Sequence, residues 1–435
     1  MLGSILNETS KPLFKMIKHW IIFGELQDPY KEFFVEINEK VSEDEVWNTR
    51  YNLIIKNIPN FFNKNMTIKL FEIGKCVNFI RNYCDNPNFS MLKLKEKIVK
   101  IGEDKIKSSA EVEKVELNNI IKEEKVHEIK NDNKMIIDDV PISNNLNKMN
   151  IEQNDNQSIS ENQKNERKNV HKSLDFIFNI EDESVNMACL NELYSEIDLV
   201  HQVINKELIT IIFDKFKFKA HLESIYRYLL LGQGDMMQYL MELLVNELKK
   251  PASQIYKHNL LSILDSAIRA SNAQYHEQEC IKKLNIKLFE PNSGDTGWDI
   301  FVLEYNIDMP LKIIFTKTLL REYQKLFFFF WKLKRLEFTQ NHQIWRSLMT
   351  YSHSKRKNFD FLRPHIQRIL LFNQQIIHFV TNLHDYITLE VLETEWKNIM
   401  EKLENVDYLD NLIFLHKSFV SNVTGKYKHI LYNHI

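Results

Sequence analysis

Glycines spaced to cradle a phosphate are the first chemical possibility in this sequence. Gly232-Gln233-Gly234-Asp235 begins like a GxGxxG dinucleotide fingerprint, but Met237 stands where the third glycine belongs and no strand pattern clearly precedes it. Gly74-Lys75 ends like a Walker loop, yet Cys76 occupies the place of the magnesium-ligating Ser or Thr and the upstream glycine is missing. A small residue that lets two helices approach is the simpler reading. Asp295 and Asp299 could form a carboxylate pair, but they flank a PNSGDTG turn, where Asp is favoured for local hydrogen bonds. His378 and His384 are six residues apart, which sets them about 240° apart around a helix and argues against joint metal ligation. Cys76, Cys84, Cys189 and Cys280 show neither CxxC nor a zinc spacing with His, and read as reduced core thiols. With no HExxH, nucleophile elbow or kinase signature either, the expectation is a protein that is not an enzyme and needs no cofactor or metal.

Charge excludes another class. The 57 basic and 59 acidic residues leave a net charge of -2, so there is no general pull toward nucleic acid, and a partner must be read by shape. One local bias exists: Lys332, Lys334, Arg335, Arg346, Lys355, Arg356, Lys357, Arg363 and Arg368 crowd one stretch. Solvated helix faces account for it on the simpler reading. A nucleic-acid surface would need exposed aromatics among these charges, and the aromatics here follow core periodicity instead. No signal-peptide pattern stands before Pro12 and no stretch approaches transmembrane length, so the expected compartment is cytosolic or nuclear, without membrane insertion.

The elements that carry these residues are mostly helices. Only 9 Gly and 9 Pro in 435 residues argue against a barrel or sandwich built from many turns. Pro12 to Phe23 repeats apolar residues at helical spacing and stops at Gly24. Leu193, Ile197, Val200, Ile204, Leu208 and Ile211 step by three or four. Gly232 and Gly234 break the next helix, and Asp235 is placed to cap a new one starting at Met236, whose apolar face is Met236, Met237, Leu240, Met241, Leu244 and Leu248. From Ile286 to Phe315 the rhythm changes to alternation around the PNSGDTG turn, which predicts a small β-hairpin with Trp298 to Ile307 as its second strand and room for a third at Leu311 to Phe315. Thr316 then caps a long helix in which Leu326 to Trp331 is apolar all round, so that helix must be packed on several sides. Farther on, Leu362, Ile366, Ile369, Asn373, Ile376, Val380 and Leu383 form one core-facing stripe. Between Ile101 and Val170 there is no Phe, Tyr or Trp, and such a segment cannot bury enough apolar surface to offset chain entropy.

Three motifs in fixed order make the sequence more specific than its composition. LLLGQGD at Leu229 to Asp235, GDTGWD at Gly294 to Asp299 and WKLKRLE at Trp331 to Glu337, with HNLLSILDSAIRASNAQY between the first two, resemble the second Grip motif of gamma-tubulin complex proteins, with wording nearest to component three. WNTRYNL, IPNFF and IGKCVNFIRNYC between Trp47 and Cys84 are similar to the first Grip motif. HFVTNLHDYITLEVLETEW continues the likeness, although His384-Asp385 stands where Gln-Tyr is commoner, and the likeness lapses after Thr424. Family members begin before Met1 and run on for further helices, so a fragment lacking the start of the first and the end of the second motif is expected.

The resemblance implies a mainly α fold, an elongated stack of helical bundles with one small β-hairpin or three-stranded sheet. It implies four segments: 1–92 in the first Grip domain, 93–172 as a disordered insertion, 173–228 closing the first domain, and 229–435 as a truncated second domain. The implied work is a microtubule-nucleation scaffold at a microtubule-organising centre or spindle pole, binding gamma-tubulin through the C-terminal half and neighbouring components, especially component two, through the N-terminal half. Tubulins being acidic, Lys334 and Arg335 are the expected gamma-tubulin contacts, and Gly232, Gly234, Asp235, Trp298 and Trp331 the expected structural positions. The alternative is a general helical adaptor for some other protein, which periodicity alone does not distinguish.

Overall fold

The computed structural model describes residues 2–60, 62–84, 190–352 and 363–434, with Phe89, Leu94, Lys95 and Lys97 between them. The insertion read at 93–172 therefore lies outside the described residues but for three positions, as do Leu174, Cys189, Lys355, Arg356, Lys357 and Leu362. The fold is mainly α, and the chain divides into two compact units: residues 1–41 with 47–208, and residues 42–46 with 209–435.

In the first unit, α1 (Leu2–Phe23), α2 (Lys64–Tyr83) and α3 (Leu190–Thr210) accompany a two-stranded antiparallel sheet of β1 (Val35–Ile37) and β2 (Tyr51–Leu53). Helix α1 begins before Pro12, which lies inside it; proline forfeits one hydrogen bond without forbidding helix on its N-terminal side. Fully buried Trp20 joins α1 to α2: its indole N–H donates to the Leu70 carbonyl at 3.0 Å, and its ring meets Tyr51 edge-on at 5.0 Å. Gly74 is where the helices touch, since a Cβ there would lie 2.0 Å from the Trp20 ring, so Gly74-Lys75 serves helix approach. Gly24 ends α1 with φ +65°, its N–H donating to Trp20 O at 2.9 Å. Ile197, Val200, Ile204 and Leu208 are buried on α3 as their spacing predicts.

The second unit opens with α4 (Phe218–Tyr228), α5 (Gly234–Leu248) and α6 (Lys257–Ala270). Helix α4 belongs to this unit because Phe218 packs on Phe315 at 5.5 Å and Tyr226 stacks on Trp396 at 4.3 Å. The unit boundary thus falls at Leu208/Ile209, ahead of the Tyr228/Leu229 division read from sequence. All six residues predicted for the apolar face of α5 are buried. Strands β3 (Leu284–Leu288) and β4 (Phe301–Tyr305) pair antiparallel with Ile286 opposite Leu303. Phe301, Val302, Leu303 and Tyr305 are all buried, so the strand is covered on both faces.

Two local readings are corrected here. Trp298 is not in the strand: Thr296 and Asp299 form a capping box that turns Gly297–Ile300 into one helical turn ahead of β4. Leu311–Ile313 is a turn of 3-10 helix and adds no third strand, a run of buried apolar residues having no period that separates strand from helix.

Thr316 caps α7 (Lys317–Phe338), its hydroxyl accepting from Leu319 N–H at 3.4 Å. A π-helical segment, Thr339–Ile344, carries α7 straight into α8 (Trp345–Ser352). After residues 353–362, α9 (Arg363–Tyr386) continues likewise through a π segment, Ile387–Glu393, into α10 (Thr394–Leu403), and α11 (Leu409–His434) ends the described chain. No described helix is long and apolar enough to cross a membrane.

Candidate partner-binding surface

The apolar run of α7 creates the platform for the candidate contact residues. Leu326, Phe327, Phe330 and Trp331 are buried, while Phe328 and Phe329 are half-buried, so the helix is enclosed on most sides without being enclosed all round. Trp331 has no exposure and meets Phe301 at 5.0 Å, Phe327 at 5.7 Å and Trp298 at 5.7 Å. This cluster joins α7 to β4 and to the turn before it. Such rings carry most of the apolar area a small core can bury, so their packing sets how firmly α7 is held. The Trp331 indole N–H is buried without a hydrogen-bond acceptor among the described residues.

One turn past Trp331 the same helix carries Lys334 and Arg335. The Arg335 guanidinium carbon sits 4.9 Å from the Trp298 ring centroid, and its Nη1 lies 3.8 Å from Asp299 Oδ1. Asp299 is held below the usual carboxylate range by the Thr296 hydroxyl and backbone N–H, against the effect of its burial, with Arg335 and Lys332 adding to the depression. Trp298, Trp331 and Arg335 thus form one stack, closed at its rim by an ion pair. Lys334 faces the other way: its Nζ bonds Glu337 Oε2 at 2.9 Å, and it lines a groove of about 130 Å³ with Gly234, Met237, Met241 and Phe338. Burial, followed by the Lys334 charge, lowers the pKa of nearby His384.

The glycines and Asp235 occupy the turn between α4 and α5. A Cβ on Gly232 would lie 2.7 Å from the Tyr226 ring, whereas one on Gly234 would meet nothing within 4 Å. Gly232 is required by close approach, and Gly234 opens α5 at the edge of the groove. Asp235 does not cap α5: the helix starts at Gly234, with Gln233 at the cap position, because the turn winds one residue earlier than the motif suggests. The Asp235 carboxylate instead accepts from Asn272 N–H at 2.9 Å, tying α5 to the chain beyond α6. Burial alone would raise its pKa, but bonds from the Asn272 and Met236 N–H groups bring it below the ordinary value.

Several of the acid, base and thiol candidates make local contacts. Asp295 Oδ2 accepts from Asn292 N–H at 2.9 Å within the turn, and His378 lies 3.2 Å from Asn382 on the next turn of α9. Cys76, Cys84 and Cys280 are buried thiols, with Cys76 Sγ donating to Asn205 Oδ1 at 3.4 Å. Among the described residues no three His, Cys, Asp or Glu side chains are grouped to hold a metal ion. Three His–Tyr pairs are not legible in the sequence: the buried His416 Nε2 with Tyr323 Oη at 2.9 Å, and the half-buried His221 Nδ1 with Tyr305 Oη at 2.6 Å and His276 Nδ1 with Tyr228 Oη at 2.7 Å. Their partners lie far apart in the chain, and no local signal connects them.

Comparison with known proteins identifies the family to which these stacked rings, capped turns and shallow groove belong. Residues 1–215 match the family model "Gamma tubulin complex component N-terminal" and residues 218–427 match "Gamma tubulin complex component C-terminal". The chain is similar to spindle pole body component 98 of Dictyostelium discoideum, 30% identical over 98% of this chain and 48% of that protein. It is also similar to spindle pole body component alp6 of Schizosaccharomyces pombe, 31% identical over 97% of this chain and 42% of the relative. With gamma-tubulin complex component 3 of Homo sapiens it is 28% identical over 97% of this chain and 38% of the human protein. The chain therefore spans less than half the length of these curated relatives. Two adjoining models that account for nearly all of its residues assign it: this chain belongs to the gamma-tubulin complex component family.

Proposed function

We propose that the chain is a scaffold subunit of the gamma-tubulin complex, whose second unit holds gamma-tubulin and whose first unit lies against neighbouring components, especially component two. The observation that carries this reading is the tiling of the chain by the family's N-terminal and C-terminal models, which hand over between residues 215 and 218. In this reading gamma-tubulins are arranged in microtubule register at a spindle pole or microtubule-organising centre. No bond is made or broken. Pre-arranging several subunits spares the association entropy that makes a spontaneous nucleus rare, so the useful property of the scaffold is stiffness. The Trp298–Trp331–Arg335 stack supports that role, because it fixes α7 against β4 and the preceding turn at three ring contacts. Lys334 and Arg335 are the proposed contacts.

The test is co-purification of the full chain with gamma-tubulin at low and high salt. Retention of gamma-tubulin, weakening as salt rises, is the expected result. A chain that retains no gamma-tubulin at low salt leaves the general adaptor as the better reading.

A further inference from the structure

Helix α9 carries two faces, and only one of them is packed. Asn373 and Val380 are buried on the inner face, with Ile366, Ile376 and Leu383 half-buried beside them, whereas Ile369, expected on the same stripe, is exposed. The outer face exposes Phe372 at 63%, Phe379 at 60% and Tyr386 at 53%, spaced seven residues apart, with Gln375, Asn382 and Leu389 three residues after each. The seven-residue spacing sets the three rings in one seam along a side of the helix, as in a helix that lies along another, with polar Gln375 and Asn382 between them and Leu389 on the π segment that follows. Six of the seventeen large apolar side chains exposed in the described residues fall between Ile369 and Leu389, so this is a patch and not scatter.

Charge defines the occupant. From Ile369 to His384 there is no Lys, Arg, Asp or Glu, which is unusual for a helix face in water. Exposed Arg363, His365 and Arg368 stand at one end of the seam and exposed Asp385 and Glu390 at the other. The cationic end is the helix N-terminus, where the backbone dipole disfavours positive charge, so helix stability does not explain it. A surface with opposite charge at its two ends is complementary to its own copy turned end for end.

We propose that α9 pairs antiparallel with α9 of a second copy of this chain about a two-fold axis near Phe379. In that register Arg368 of each copy meets Glu390 of the other, Phe372 meets Tyr386, and Phe379 meets itself. A parallel pair would set like charges together at both ends. Two-fold pairing also closes, giving a dimer and not a fibre. The three aromatics of each copy are already partly covered, so of the about 150–250 Å² such a ring can bury they bring roughly 500–900 Å² over both copies, which the flanking Arg368, Gln375, Asn382, Leu389 and Glu390 extend to the size of a weak, reversible interface.

The test is sedimentation velocity of the full chain across the micromolar range, with the melting temperature as a fold control. The unaltered chain should pass from monomer to dimer at roughly tens of micromolar. Phe372→Ser with Phe379→Ser should weaken the dimer about tenfold or more, since each lost ring is lost twice in an isologous contact. Arg368→Glu should weaken it as well, and adding Glu390→Arg should restore it. A chain that stays monomeric throughout the range overturns the proposal. So does a dimer indifferent to both sets of substitutions, or a monomer whose Phe372 and Phe379 are needed to hold gamma-tubulin instead.

Discussion

Arg335 lies over the face of Trp298, its guanidinium carbon 4.9 Å from the ring centroid, and from there reaches the carboxylate that caps the turn holding that tryptophan. A residue singled out as a partner contact therefore also has an internal task. Arg335→Ala should lower stability by about 0.5–1 kcal/mol, the worth of a cation–π contact at a partly exposed site. Lys334→Glu places a like charge beside Glu337 and should cost a few tenths of a kcal/mol, on the order of a surface pair. Both substitutions should weaken gamma-tubulin retention more at low salt than at high salt. Denaturant melts run beside the binding assay distinguish a lost contact from a loosened stack, and unchanged retention would remove both residues from the interface.

Trp298 is 5% exposed and joins the Trp331 cluster on one side and Arg335 on the other. Replacing it with Ala should cost about 3–5 kcal/mol, enough to disable a marginally stable unit. A Trp298→Ala protein that melts like its parent but no longer retains gamma-tubulin would make this residue a contact.

The two glycines of the LLLGQGD motif should part company. Gly232→Ala drives a methyl group into Tyr226, which is itself stacked on Trp396, and should cost about 1–3 kcal/mol as an overpacking change. Gly234→Ala meets open space at the first position of α5 and should be neutral or stabilising by about 0.5–1 kcal/mol through the unfolded chain. Equal melting temperatures for the two variants would contradict the steric account.

Periodicity makes the large elements legible: the six-residue face of α5, the capped start of α7 at Thr316 and the α3 stripe all follow 3.6-residue spacing, a property of the local sequence. It fails where local rules compete or run out. Alternation assigns Trp298 to a strand, whereas the Thr296–Asp299 capping box claims the same residues for a helical turn and prevails. Strands β1 and β2 have three residues each, too few to display alternation, so periodicity does not reveal that sheet. The Arg335–Trp298 stack joins residues that no spacing rule connects. The outer stripe of α9 is readable in principle, since Phe372, Phe379 and Tyr386 recur every seven residues, but the parallel inner stripe masks it.

His416 gives the second unit a pH dependence with a definite sign. Its Nδ1 lies 3.2 Å from the Ile314 carbonyl, which can only accept, so Nδ1 carries the proton, and Nε2 is left to accept from the Tyr323 hydroxyl at 2.9 Å. The ring is fully buried against Phe315 and Tyr323, and burial lowers its pKa to about 4, the Ile314 bond offsetting only part of the fall. Once the chain unfolds, the same imidazole titrates near its ordinary value of about 6.5. Between these values the unfolded state binds a proton that the folded state refuses, so stability is complete above about pH 6.5 and falls as the pH drops toward 4. The loss from this one residue between pH 7 and pH 5 should be about 2 kcal/mol. His416→Asn retains a donor for Ile314 without the titrating ring; it should be less stable at neutral pH through the cavity it leaves, but should lose less stability on acidification. His221, His276 and His384, whose pKa values burial also lowers, contribute slopes of the same sign, so the informative quantity is the difference between parent and variant in denaturant midpoints at pH 7 and pH 5. Equal losses in the two proteins would mean that His416 is already charged in the fold, with its proton shared toward Tyr323.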